Sequence, residues 1–178
     1  EFSKMAFDLS EKFDAPVIVR LTTRIAHSRS TVTISERTDK GLLPYEKNPA
    51  KYVMMPAMAI KKHVVVEQRI KDQIEWAETA EINRVEYNSK KIGVIASGIC
   101  YQYAKEALGE KASYLKLGCV YPLPVEKIKQ FVNSCEKVYV LEELDPFIEE
   151  HCKINGIYNI IGKDAFTLLG EYSQGLIR

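Results

Sequence analysis

Hydrophobic and polar positions change period several times along this chain, and each change marks an element. Met5, Phe7, Leu9 and Phe13 stand among polar residues over 3–13, a spacing that predicts a short amphipathic helix. Ala15-Pro16 ends it. The run Pro16-Val17-Ile18-Val19-Arg20-Leu21-Thr22 predicts a strand Val17–Thr22, rich in β-branched residues and opened by a proline at a tolerated position. A helix feeding such a strand is the closing half of an α/β unit whose beginning is expected upstream of residue 1. From Thr23 to Lys51 periodicity is lost. Asp39-Lys40-Gly41, Pro44 and Asn48-Pro49 predict a long connection that wraps a surface. Pro56 then opens a helix at the position where its missing N–H costs nothing. Ile60, Val64, Ile70, Ile74 and Ala77 recur at helical steps, and the pattern predicts a long helix running to about Asn88. Val64-Val65-Val66 is poor in helix propensity, but charged residues on both sides support it.

After Lys91 the rhythm becomes regular. Ile92–Ala96 predicts a buried strand, Ser97-Gly98 its tight exit, and Tyr101–Leu108 a helix with Tyr101, Ala104, Ala107 and Leu108 on one face. Ser113–Leu117 predicts the next strand. Val125–Val132 follows as a helix with Val125, Ile128, Phe131 and Val132 as its stripe. Lys137–Leu141 is the third strand. Asp145 as N-cap and Pro146 at the first position predict a helix from Phe147, and 157–162 predicts a last strand. Successive βα units imply an α/β domain with a parallel sheet and helices on its faces.

Composition changes little in this picture. The chain has 178 residues, 46% hydrophobic and 28% charged, with a net charge of +1. That suits a folded core and gives no global field toward nucleic acid or an anionic membrane surface. No apolar run approaches the roughly 20 residues of a membrane span, and no signal peptide is legible. The helical pattern begins at once with no initiator Met, as expected of a segment excised from a longer chain. Cys100, Cys119, Cys135 and Cys152 lack metal-ligand spacing. They are expected to be small buried hydrophobes in a reducing cytoplasm, with a disulfide pair as the lesser alternative.

Four places could carry chemistry. Ser97-Gly98 between strand and helix invites a phosphate loop, yet no GxGxxG or GxxxxGK[ST] accompanies it, and a tight packing turn explains it more simply. Cys100 at a helix start could have a lowered thiol pKa, but no His or Lys neighbours it in sequence. Glu142, Glu143, Asp145, Glu149 and Glu150 crowd a strand's carboxyl end, where open sheets bind ligands. Asp145 is accounted for as a cap, and Glu149 and Glu150 fit a solvated helix face. Arg20, Arg24, His27 and Arg29, with neighbouring Thr and Ser, follow a strand end and could grip a carboxylate or phosphate. The competing explanation is a salt-bridged surface connector.

The stretches IGVIASGICYQYAKEAL, KLGCVYPLPVEKI and VYVLEELDPFIEE resemble the second domain of the large subunit of indolepyruvate ferredoxin oxidoreductase. RLTTRIAHS, KYVMMPAMA, INRVEYN and IIGKDAFTLLGEYS resemble the flanking parts of that subunit in the same order, so the resemblance covers almost the whole chain. It implies membership of the thiamine-diphosphate 2-oxoacid:ferredoxin oxidoreductases, which convert an aryl pyruvate and coenzyme A to acyl-CoA, CO2 and reduced ferredoxin. It also implies that 91–178 form a three-layer αβα sandwich with a mostly parallel or mixed sheet of about five strands, like the carboxy-terminal domain of transketolase. Residues 1–31 would end the preceding pyrimidine-binding domain, with 32–90 as connector and long helix. The thiamine-activating glutamate would lie upstream. The GDG…N diphosphate motif and the CxxCxxCxxxCP iron–sulfur pattern are absent from the sequence. The resemblance therefore implies a segment with no catalytic residue, cofactor or metal of its own. In the parent enzyme, thiamine diphosphate, Mg2+ and iron–sulfur clusters are implied, with a smaller second subunit and ferredoxin as partners. Thr23, Arg24 and His27 are the candidate substrate-binding residues of the intact enzyme. The competing expectation is a free-standing doubly wound module with a ligand over Gly98, Tyr121 and Glu143.

Overall fold

The computed structural model describes residues 2–39 and 41–178, which divide into two units, Glu1–Arg69 and Ile70–Arg178. In the first, helix α1 (Phe2–Phe13) ends at Asp14, whose φ of 48° turns the chain out of the helix. The expected strand Val17–Thr22 does not form: these residues are without regular structure. A β-branched run becomes a strand only with a ladder partner, and Ile18 is 90% exposed with none beside it. A single helical turn, α2 (Thr23–Ala26), interrupts the expected connection, and another, α3 (Pro49–Tyr52), closes it. Both turns are capped by the preceding side chain: Thr22 Oγ1 accepts from the Ile25 N–H and Asn48 Oδ1 from the Lys51 N–H. Asp14 draws in Lys51 at 2.7 Å, Arg69 at 3.5 Å and Lys62 at 3.7 Å. No described residue of this unit is buried.

Helix α4 (Pro56–Thr79) carries the chain into the second unit. It ends nine residues short of the expected Asn88. There the sequence hides a strand, β1 (Arg84–Glu86), because Asn83 stops the helix. The Asn83 side chain is 1% exposed; it donates to the Ala77 carbonyl and accepts from the Gly118 and Cys119 N–H groups at 2.9 Å. A residue so fully engaged in a tertiary bridge overrides local helix propensity.

The remaining elements follow the expected order: β2 (Ile92–Ser97), α5 (Gly98–Leu108), β3 (Ser113–Leu117), α6 (Val125–Ser134), β4 (Lys137–Leu141), α7 (Phe147–Ile154) and a last turn α8 (Gln174–Ile177). Strand order is β1-β3-β2-β4, with β2 parallel to both neighbours and β1 antiparallel to β3. Four strands replace the five expected. The last is reduced to one parallel bridge, Tyr139 to Ile161, fixed by the hydrogen bonds Val140 N to Ile161 O and Ile161 N to Val138 O.

Period-two alternation sorts side chains onto the two faces. Ile95, Leu115, Leu117, Val138 and Val140 point to one side, where Ile128, Phe131 and Val132 of α6 and Ile148 and Cys152 of α7 cover them. Val94, Ala96, Tyr114 and Leu141 point to the other, under Cys100, Tyr101 and Ala104 of α5, with Tyr172. The result is the three-layer αβα sandwich with a mixed sheet. Gly118 is required by close approach: an added Cβ would lie 2.5 Å from the Ile82 carbonyl oxygen.

Candidate functional site

The substrate-binding candidates occupy the α2 turn. Thr23 and Arg24 lie in it, and His27 is its C-cap, with its N–H donating to the Thr23 carbonyl at 3.1 Å. Thr23 and His27 therefore stand one turn apart on the same side, with Arg24 on the adjacent side. The Ser28 hydroxyl closes the turn on the Ile25 carbonyl at 2.8 Å. All three candidates are exposed. The sequence placed them at the end of a strand; the structure places them on a capped helical turn after an extended segment.

The second place is the carboxyl end of the sheet. The three parallel strands deliver Ser97-Gly98, Cys119–Pro124 and Glu142–Pro146 to this end. Gly98 takes φ 54° and opens α5 with no side-chain cap from Ser97. Helices α6 and α7 also lack a cap of their own, since Pro124 and Pro146 occupy the N-cap positions. Each borrows one. The Glu78 carboxylate accepts from the Glu126 and Lys127 N–H groups at 2.9 and 2.8 Å. Glu142, 8% exposed, accepts from Ile148 and Glu149 at 2.7 and 3.0 Å. Asp145, expected as the α7 cap, is exposed and makes no such bond. Glu142 reaches back from the strand end with both oxygens, which a shorter aspartate beside the helix start does not match.

The carboxylates crowded in sequence thus separate in space. Glu143 accepts from the Tyr172 N–H at 2.8 Å. Glu149 is 3% exposed, not on a solvated face, and accepts from Lys153 Nζ at 2.6 Å and the Lys163 N–H at 2.8 Å. Lys163 Nζ donates to the Glu142 carbonyl and to Tyr172 Oη. Burial pushes Glu142 above the ordinary carboxylate range despite its two amide donors. Burial also acts upward on Glu149, but the hydrogen bonds from Lys153 and Lys163 outweigh it and leave its pKa lowered. Among the described residues no group of three or more His, Cys, Asp or Glu is placed to hold a metal ion. Cys100 is the reverse of an activated thiol: burial, then the Glu143 charge, push it up to about 11. Cys152 is pushed up to about 12, chiefly by burial. All four cysteines are free.

Sequence reasoning missed the borrowed caps. For α6 the partners Glu78 and Glu126 are 48 residues apart, so no local pattern signals them; for α7 the cap lies only six residues before Ile148, but Asp145 beside Pro146 offers the more familiar cap residue.

The layered sheet, with β1 antiparallel at its edge, has a counterpart of the same fold among solved structures. One solved structure, the 2-oxoglutarate:ferredoxin oxidoreductase from Magnetococcus marinus, overlaps 95% of this chain and 28% of its own, with a TM-score of 0.51 and 21% identity. No family model matches the chain. The sequence is more specific. It is 34% identical over 99% of its length to the indolepyruvate oxidoreductase subunit IorA of Archaeoglobus fulgidus. It is 38% identical over 86% of its length to that of Thermococcus kodakarensis, and 36% identical over all of it to that of Methanothermobacter thermautotrophicus. The chain belongs with these indolepyruvate oxidoreductase IorA subunits, of whose length it spans 30%, 25% and 31% respectively. The resemblance carried by the sequence motifs is borne out.

Proposed function

We propose that this chain is a non-catalytic segment of an indolepyruvate:ferredoxin oxidoreductase, which decarboxylates aryl 2-oxoacids to acyl-CoA and passes the electrons to ferredoxin. The observation that carries this is the similarity, over nearly the full chain, to IorA subunits about three times as long. In this reading 91–178 serve as the transketolase C-terminal-like domain. Residues 1–31 close a pyrimidine-binding domain, and 32–90 link the two. Thiamine diphosphate, Mg2+ and iron–sulfur clusters belong to other parts of the enzyme. The described residues do not fit a metal centre, so no chemical step is assigned to them. The partners are the rest of the subunit, a smaller second subunit and ferredoxin, in the cytoplasm. No described helix is long and apolar enough to cross a membrane.

Within the intact enzyme, Thr23, Arg24 and His27 border the substrate site, with Arg24 facing it. A guanidinium fork suits a carboxylate or a coenzyme A phosphate better than an ammonium does. The test is indolepyruvate- and coenzyme A-dependent ferredoxin reduction by the full-length subunit with its partner. No turnover in a folded complex overturns the assignment. In the same assay Arg24→Lys is expected to cost about 1–3 kcal/mol in kcat/KM at unchanged Tm. Lower stability with normal kinetics would make Arg24 a structural bridge only.

A further inference from the structure

The two faces of the sheet are covered unequally. Two helices, α6 and α7, lie on one. On the other α5 is the main helix, and the room beside it is taken by 163–177, which has no regular structure apart from the α8 turn. This stretch lends the face Tyr172, 2% exposed, with Phe166 and Ile177 packed against the same cluster. Phe166 meets Tyr139 of β4 edge-on, with 6.2 Å between ring centroids, and α8 lies against α5. Leu141 and Cys100 belong to the cluster that it closes.

Its attachment differs from that of the strands and helices. The last ladder bonds are those of Ile161 with Val138 and Val140. Beyond Gly162 the backbone–backbone hydrogen bonds among the described residues are local: Ala165 and Phe166 donate to Gly162, Leu176 to Ser173 and Arg178 to Gln174. The polar ties that reach the body of the unit use side chains. The Lys163 N–H donates to Glu149 and the Tyr172 N–H to Glu143, each at 2.8 Å. Lys163 Nζ donates to the Glu142 carbonyl. Gly162 seats the first of these ties, because an added Cβ there would collide with Glu149 Oε2. The acidic residues at the end of β4 and on α7 are thus the socket of this segment. A segment that can leave without breaking a ladder bond or a helix opens below the global transition.

We infer that 163–177 is a strap that swings off the sheet as one piece while sheet and helices stay folded, with Glu143, Glu149 and Lys163 as its clasp. Opening uncovers the β4 side of this face: Tyr139, Leu141 and the Cys100 thiol. The device belongs to the chain itself and is independent of the activity proposed above.

Cys100, 4% exposed, is the natural reporter. Burial dominates its ionisation, the Glu143 charge pushes its pKa up and the Lys163 charge pulls it down. Alkylation of the folded 178-residue chain by iodoacetamide, read peptide by peptide by mass spectrometry in urea below the unfolding transition, measures how the thiol is reached. Cys100 labelling is expected to rise with urea at less than about half the slope of the global transition. A steeper dependence overturns the strap. Lys163→Met cuts the clasp and also removes the charge that lowers the thiol's pKa, so faster labelling in this variant comes from opening and not from ionisation. Cys100 is expected to react about tenfold faster in it. A rate no faster than in wild type means that α5 frays on its own, and overturns the clasp. Ile128→Val, on the far face, weakens the closed and open forms alike. It is expected to lower the urea midpoint and leave Cys100 labelling unchanged. Labelling that accelerates with the fall in stability makes the strap part of the global fold and overturns the inference.

Discussion

Residues 2–69 and 70–178 have similar access to apolar side chains but use them differently. In the first unit Ile18, Ile34, Leu42, Val64 and others lie open, and no described residue is buried. In the second, two clusters close over both faces of one sheet. Local capping is good in the first unit, where Thr22 and Asn48 both accept from their own turns. It is absent from α6 and α7 of the second, where Glu78, 48 residues before Glu126, and Glu142, six residues before Ile148, take its place. Capping contributes about 1 kcal/mol per helix, whereas burial of each large side chain contributes roughly 1.5–3 kcal/mol. Burial therefore settles which unit holds together.

The largest expected effect is on local opening. The described backbone between Thr31 and Lys51 should open at a cost near zero, while 92–141 opens only with the global transition, at about 5 kcal/mol or more. Limited proteolysis with mass spectrometry should find the first cuts between Thr31 and Lys51. First cuts within 92–141 would reverse the contrast.

Next in size is Gly118→Ala. The new Cβ would sit 2.5 Å from a backbone oxygen and 2.8 Å from Ile82 Cβ, and backbone cannot swing aside as a long side chain does. A loss of about 3 kcal/mol in the stability of the second unit is expected by chemical denaturation. A loss below about 1 kcal/mol would mean the α4–β1 turn is looser than the Asn83 bridge implies.

Glu149→Gln should cost about 2 kcal/mol, because a buried carboxylate with two donors is exchanged for an amide that meets Lys153 less well. Its pH signature has a definite sign. The folded pKa lies below the ordinary 4.5, so the stabilisation is complete above 4.5 and is lost as pH falls through the folded value. Glu142, with its pKa raised chiefly by burial, acts oppositely and gains on acidification. Comparing acid unfolding of wild type and Glu149→Gln isolates the first: the gap between them should narrow below pH 4.5. A gap constant with pH would remove the charge from the account.

The same contrast explains what was legible in the sequence. Ile92–Ala96, Ser113–Leu117 and Lys137–Leu141 were readable because each is buried on both faces, so pattern and environment agree. Val17–Thr22 has the same composition but no ladder neighbour among the described residues, and composition cannot supply one. Arg84–Glu86 failed in the opposite way: Arg-Val-Glu reads as helix surface, and only the Asn83 bridge to Gly118 and Cys119 turns it into an edge strand. Asp145 was the expected cap as the residue beside Pro146, but Glu142, three residues earlier at the strand end, accepts from the Ile148 and Glu149 N–H groups instead. In the candidate substrate site, Thr23, Arg24 and His27 were legible as a polar cluster after an extended run. Their helical turn was not, because one turn carries no periodicity.

The smallest expected effect tests whether the first unit has any cooperative structure. Asp14 is its electrostatic centre: the Lys51 hydrogen bond comes first among the causes that lower its pKa, with Lys62 and Arg69 adding to it. Yet the carboxylate is 51% exposed, so solvent screens the three cations. Asp14→Asn is expected to leave the main melting transition, which belongs to the second unit, within about 2 °C of wild type. A local change in exchange near α1 and α3 should shrink further in high salt, since exposed pairs are screened over roughly 10 Å at 0.1 M. A drop of many degrees in the main transition would show the two units melting as one. The exposed apolar residues of 17–65 would then belong to a cooperative structure, not to surface that awaits burial.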